Sequence, residues 1–235
     1  MKRTTSWVAA VAALAAGGLA HADVSTTITA VSNYDFRGIT QTAGDPALSV
    51  SLDWSNAAGV YLGAWSSNID FGPGSFGDIE VDLYGGYRFS AHDVSYDLGI
   101  VDYTFHPGGD NFDFAEAYAA VTYKNFGGKL WYAWDFDNAG DSAEYLEANY
   151  TVPLPKDYGL TLHAGYSFGD YWKNLDSEYV DYAVGVSKTV GHFALALKWI
   201  DGSDLKIADY PRDLAFSSKG KAWFSVSTTL PWASK

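Results

Sequence analysis

Segments of about ten residues in which apolar and polar side chains alternate recur along almost the whole chain, and no other feature constrains its fold as tightly. Leu48, Val50, Leu52 and Trp54 interleave with Ser49, Ser51, Asp53 and Ser55. Ile79, Val81, Leu83, Gly85, Tyr87 and Phe89 interleave with Glu80, Asp82, Tyr84, Gly86 and Arg88. A period of two sends the two sets to opposite faces of a strand. One face is aliphatic and aromatic, and the other carries carboxylates and an arginine. Oil on one side and water on the other is the condition of a strand in a transmembrane antiparallel β-barrel.

The first residues fit an exported chain. Lys2 and Arg3 precede a short apolar run, Trp7 to Leu14, and Ala20-His21-Ala22 has the small-x-small form of a cleavage site. This predicts a signal peptide over 1–22, too short in its apolar part to span a membrane, and a barrel domain over 23–235. Beyond Ala22 no stretch approaches the ~20 apolar residues of a membrane helix, whereas a barrel strand needs only about 9–11. With no cysteine, the chain is neither a lipoprotein nor dependent on disulfides. The formal net charge of −13 becomes −15 when the two bases of the leader, Lys2 and Arg3, are removed. So acidic a chain lacks the basic footprint of a nucleic-acid binder. Nine Trp and seventeen Tyr supply the ring types that membrane proteins place at headgroup level.

The alternation predicts an all-β fold of about twelve strands, an even number as single-chain bacterial barrels have. They fall near 24–37, 46–56, 59–70, 78–90, 93–105, 114–125, 128–137, 143–152, 159–169, 178–190, 192–201 and 220–231. Even-numbered strands are followed by tight connections, at Asn56–Gly59, Ala91–His92, Asn125–Gly128, Pro153–Tyr158 and Gly191. Odd-numbered strands are followed by longer ones, at 38–45, 71–77, 106–113, 138–142, 170–177 and 202–219. Short turns are periplasmic in outer-membrane barrels and long loops external, so both termini are expected in the periplasm. Two aromatic girdles are expected. Trp54, Tyr61, Tyr87, Phe89, Phe126, Tyr158, Phe193 and Trp232 make the periplasmic one. Tyr34, Phe36, Phe71, Phe105, Phe136, Phe168, Trp172 and Trp199 make the outer one. A sheet in lipid cannot keep an unpaired edge, so strand one must close on strand twelve, with Thr26–Tyr34 against Ala222–Leu230.

Parity then gives an inward, pore-lining set: Arg37, Asp53, Glu80, Asp82, Arg88, Asp97, Glu116, Asp135, Glu147, His163 and Asp181. Charges in this number cannot face lipid at mid-membrane depth. Carboxylates outnumber bases, so a water-filled lumen of this kind favours cations. A barrel of about twelve strands is intermediate between filled and open ones. The expected role is passive diffusion of small hydrophilic solutes, cations preferred. No cofactor is expected, and the partners are outer-membrane lipids, the solutes and the barrel-assembly machinery. Two other roles stay open: an outer-membrane lipid-modifying enzyme, and a non-conducting structural or adhesive barrel. For the first, no Gly-x-Ser-x-Gly elbow occurs, and His163 falls on the lumen side; His92, His106 and His192 lie at turns or strand ends. The run Asp135 to Asp141 imitates part of a calcium loop but lacks the later bidentate Glu.

Several joined motifs carry a resemblance. Ser32-Asn33-Tyr34-Asp35-Phe36-Arg37-Gly38-Ile39-Thr40-Gln41-Thr42 with Pro46-Ala47, then Gly63-Ala64-Trp65-Ser66-Ser67-Asn68-Ile69-Asp70, Glu80 to Tyr87, and Tyr96-Asp97-Leu98-Gly99 with Tyr103 and Pro107-Gly108 are similar to successive segments of the TorF-type porin family, the Gcw-type conserved hypothetical outer-membrane proteins. The resemblance implies a Gram-negative outer-membrane barrel and supplies no catalytic residues, so the chain is not expected to be an enzyme. Within the motif, Arg37 is expected at the outer end of strand one, facing Asp53 or Asp35. The stretch 202–219 is the expected constriction loop. The tail Ala233-Ser234-Lys235 after Trp232 departs from the terminal aromatic that the assembly machinery reads.

Overall fold

Strands that alternate along their whole length pair with their sequence neighbours, and here the pairing runs around until it meets itself. The computed structural model describes residues 22–72, 77–203 and 220–232. Twelve of its strands form a closed antiparallel barrel. They are β1 (Ala22–Val31), β4 (Ala47–Asn56), β5 (Val60–Asn68), β6 (Ile79–Ala91), β7 (Val94–His106), β8 (Phe114–Tyr123), β9 (Phe126–Ala133), β10 (Ala143–Leu154), β11 (Tyr158–Phe168), β12 (Tyr179–Val190), β13 (Phe193–Ser203) and β14 (Lys221–Leu230). The two remaining strands, β2 (Asp35–Phe36) and β3 (Ile39–Thr40), form a small separate hairpin. Closure joins β1 to β14 from Thr26↔Leu230 to Val31↔Ser225, so the wall has no free edge. The expected leader, apart from Ala22, lies outside the described residues, as does most of the stretch 202–219.

The wall separates two chemistries. Leu48, Leu52, Leu83, Leu98, Leu146 and Leu197 all face outward and are about half exposed. With their neighbours they make an oily band far larger than the few hundred Å² tolerated on a soluble surface. Glu80, Asp82, Glu116 and Asp181, also on wall strands, point inward and are buried. Tight turns gather at one end of the barrel and long loops at the other. At one such turn Gly59 has φ +94 and a Cβ there would collide with the carbonyl of Arg88, so only glycine fits.

Strand one is shorter than its alternation suggested. It ends at Val31, where 24–37 was expected. The reason is local: the Asn33 side chain accepts from the hydroxyls of Thr40 and Thr42, and Thr42 accepts from the Tyr34 N–H. These side-chain bonds replace the ladder and turn the chain inward. Strand 128–137 likewise ends at Ala133; Phe136–Asn138 form a 3-10 turn with Asp137 in the left-handed region (φ 53). A short helix, α1 (Asp170–Asn174), occupies the β11–β12 loop.

The girdles need correction. Tyr61 is 4% exposed and points inward, sharing parity with Gly63 and Trp65. Phe36, Phe105, Phe136 and Trp172, expected in the outer belt, pack inside the barrel mouth instead. Phe105 keeps the inward parity of β7, two residues from Tyr103, whereas Phe36, Phe136 and Trp172 lie outside the barrel strands, where burial against one another decided their place. The outward rings at the long-loop end are Trp134, Tyr166, Tyr182 and Trp199.

Candidate functional site in the barrel lumen

The segment 32–46 folds down into the barrel. Its contacts reach strands all around the wall: Trp65 on β5, Glu80 on β6, Glu116 on β8, Tyr145 on β10, Tyr179 on β12 and Trp223 on β14. Only a segment inside the lumen can touch them all. At its tip Arg37 (φ 52) and Gly38 (φ 80) are the two central residues of a left-handed hairpin turn. A side chain larger than glycine in that conformation costs about 1–3 kcal/mol, so the surroundings must hold it there. A Cβ on Gly38 would lie 2.8 Å from that of Asp181, which shows how closely the tip approaches β12.

What holds Arg37 is Glu116. Nη1 and Nη2 donate to Oε1 and Oε2 at 2.8 and 2.6 Å, a bidentate pair with Glu116 fully buried. Burial works against the guanidinium charge, but the neighbouring carboxylate more than offsets it and raises the arginine's pKa. The guanidinium also lies over the rings of Phe36 and Tyr145, 4.5 Å from each centroid. Tyr103 Oη donates to Glu116 Oε2 (3.2 Å), and Tyr179 Oη to the Arg37 carbonyl (3.0 Å). Further up, Lys221 pairs with Asp35 (3.2 Å). The partner expected for Arg37 was Asp53 or Asp35; the structure gives Glu116.

The other inward residues fall into groups. His163 Nε2 lies 2.9 Å from Asp181 Oδ1 and Nδ1 lies 2.8 Å from Asn149, while Tyr145 Oη donates to Asp181 (3.0 Å). Glu147 accepts from Trp131 Nε1 (3.0 Å) and Asn149 (2.9 Å). Toward the tight-turn end Arg88 pairs with Asp97 (3.0 Å), whose other oxygen accepts from Tyr61. Asp53 accepts from Ser51 and Tyr84. Glu80 and Asp82 lie side by side on β6. Asp135 lies in the β9–β10 loop, where its Oδ1 accepts from the Gly140 N–H (2.7 Å) and ties the imitated calcium run into a turn. Among the described residues no cluster of three or more His, Asp or Glu side chains is arranged as a metal centre.

Two lysines complete the lumen. Lys129 sits over Tyr118 and Trp131, 3.6 and 3.5 Å from the ring centroids. Lys198 lies over Trp223 (4.6 Å). Both have inward parity, so the alternation contained the signal that places them.

The hairpin divides the interior without filling it. A cavity of about 310 Å³ lies between it and β10–β13, lined by Trp131, Asn149, Thr161, His163 and Lys198. One of about 250 Å³ lies on its other side, against Ser49, Trp65, Lys198 and Trp223. Toward the long loops Phe36 meets Tyr103 edge to face, Tyr103 stacks on Phe114, and Phe136 lies tilted against Phe114 and Trp172, over a smaller cavity that Phe105 also lines.

A family model described as a bacterial protein of unknown function, Gcw_chp, matches residues 15–230. No curated protein matches the sequence. Among solved structures, a protein from work on in-meso crystallization of membrane proteins is similar at TM-score 0.57 and 12% identity, over 92% of this chain and 86% of that one. The KdgM porin is similar at 0.55 and 10%, over 89% and 99%. The NanC porin follows at 0.52 and 9%, over 88% and 98%. KdgM has also been solved in complex with disordered oligogalacturonate. At these identities the likeness establishes the fold.

Proposed function

We propose that this chain, which belongs to the Gcw_chp family of bacterial proteins of unknown function, is an outer-membrane channel for passive diffusion of small hydrophilic solutes. One observation carries this: an oily closed wall surrounds a polar interior in which cavities of about 310 and 250 Å³ flank the inward hairpin. The fold shared with the KdgM and NanC porins supports it, and the KdgM complex with oligogalacturonate is an instance of a hydrophilic solute in such a barrel. The TorF-type assignment belongs to the same proposal.

The finer parts follow from the inward residues. Asp53, Glu80, Asp82, Asp97, Glu116, Glu147 and Asp181 outnumber the inward bases, and such a lumen favours cations. The inward hairpin forms a constriction. Residues 1–22 act as the export leader and 23–235 as the barrel delivered to the assembly machinery, with both termini in the periplasm. The chain works as a pore and not as an enzyme: His163 is engaged by Asp181, Asn149 and Tyr145, with no serine in that set.

The test is single-channel recording of the refolded protein, with reversal potential in a salt gradient. Discrete openings with a cation-side reversal are expected. Silence would overturn the channel, and an anion-side reversal would overturn the preference.

A further inference from the structure

Glu80 and Asp82 lie two residues apart on the inward face of β6, 3% and 8% exposed. Their carboxyl groups are within hydrogen-bonding reach of each other. Tyr34 Oη donates to Glu80 Oε1 (3.2 Å), yet Glu80 Oε2 and Asp82 Oδ1 have no hydrogen-bond partner. Neither neighbouring strand supplies one: on β7 Phe105 stands opposite Glu80, and Tyr103, opposite Asp82, gives its hydroxyl to Glu116. On β5 Trp65 stands opposite Asp82 and Ser67 opposite Glu80, and the Ser67 hydroxyl is given to main-chain carbonyls. Arg37 spends both terminal nitrogens on Glu116. Among the described residues no Lys, Arg or His pairs with either carboxylate.

Ionised carboxylates only accept. Two of them buried side by side, without a donor between, each bear the desolvation cost of an unpaired charge. A positive species between them removes it. We propose that Glu80 and Asp82 together bind one hard divalent cation of the calcium or magnesium class. Oxygens this close can both reach a cation at the ~2.3–2.6 Å of calcium–oxygen contacts. The Tyr34 phenol lies beside Glu80 as a third oxygen. Two carboxylates are fewer than a closed metal centre uses, so water fills the rest of the shell. Glu80 borders a cavity of about 90 Å³ with Thr40, Gln41 and Tyr103, which has room for water. The cation would tie the β6 wall to Tyr34, at the base of the inward hairpin.

Terbium tests this, because Trp65 stands opposite Asp82 and 5.4 Å from the Tyr34 ring, close enough to act as antenna. The refolded full-length barrel in calcium-free micelles is titrated with Tb³⁺ under tryptophan excitation. Saturable luminescence displaced by Ca²⁺ is expected. Glu80→Gln and Asp82→Asn should each weaken binding by about tenfold or more, the scale at which even outer-shell partners act. Trp65→Phe should dim the signal at unchanged affinity. Background luminescence, or binding that survives both carboxamide variants, overturns the site. So does uptake of one proton in place of the metal, since the pair then shares a hydrogen. Far-UV circular dichroism of each carboxamide variant, matched to that of the parent barrel, guards against variants that do not refold. No ion flow is measured, so this result stands apart from the conductance test.

Discussion

Arg37 and Glu116, 79 residues apart in sequence, meet inside the barrel through two parallel hydrogen bonds of 2.8 and 2.6 Å. The pair fixes the tip of the inward hairpin to β8 and holds a left-handed arginine in place. Removing one partner alone leaves the other charge buried and unpaired, which costs about 3–5 kcal/mol. Arg37→Ala should therefore lower unfolding stability by about that much, while Arg37→Met combined with Glu116→Leu should recover most of it. Urea titration of the barrel in vesicles measures both. Equal losses in the single and double variants would show that the pair does not anchor the hairpin.

Asp137 gives the long-loop end a pH dependence. Burial raises its carboxyl from the usual range to about 7, against the Tyr171 hydroxyl that donates to it at 2.9 Å. A raised folded-state value means that the folded form binds the proton more tightly. Its contribution is complete below the ordinary carboxylate value and is lost as pH rises through about 7. Stability should fall across that window, and Asp137→Asn should flatten the fall. Melting temperatures at intervals from pH 4 upward supply the comparison.

Thr161 and Leu162 are adjacent on β11 and face opposite ways. Leu162 is 45% exposed on the oily wall, and Thr161 lines the larger cavity. Leu162→Arg should destabilise folding into vesicles by about 2–4 kcal/mol, the midplane cost of arginine on a lipid face. Thr161→Arg should cost far less. Equal costs would place water on both faces.

Lys198 borders both cavities beside the hairpin. Lys198→Glu should move the reversal potential further to the cation side, with little change in folding. A potential that does not move would put the conducting path elsewhere.

The wall was readable from the chain because side-chain alternation is a property of residues i and i+2. It placed Glu80, Asp82, Glu116 and Asp181 inside and the leucines outside, and it required β1 to find β14. Arg37 lies inside as alternation has it, but on the hairpin tip and not on strand one, because the strand stops at Val31 and Asn33, Thr40 and Thr42 bond to one another in place of a neighbouring strand. The aromatic residues of the loops were misplaced for a related reason: outside a strand no period assigns a face.

Sequence by itself determined a closed antiparallel barrel with an oily exterior and an acidic interior, since water and hydrocarbon sort alternating side chains without help from distant contacts. Only the tertiary structure decided that segment 32–46 turns inward, that Arg37 chooses Glu116, and that no donor reaches the free oxygens of Glu80 and Asp82. Those outcomes are settled across the lumen. They depend on barrel width and strand register, which set who stands opposite whom and which no local pattern records.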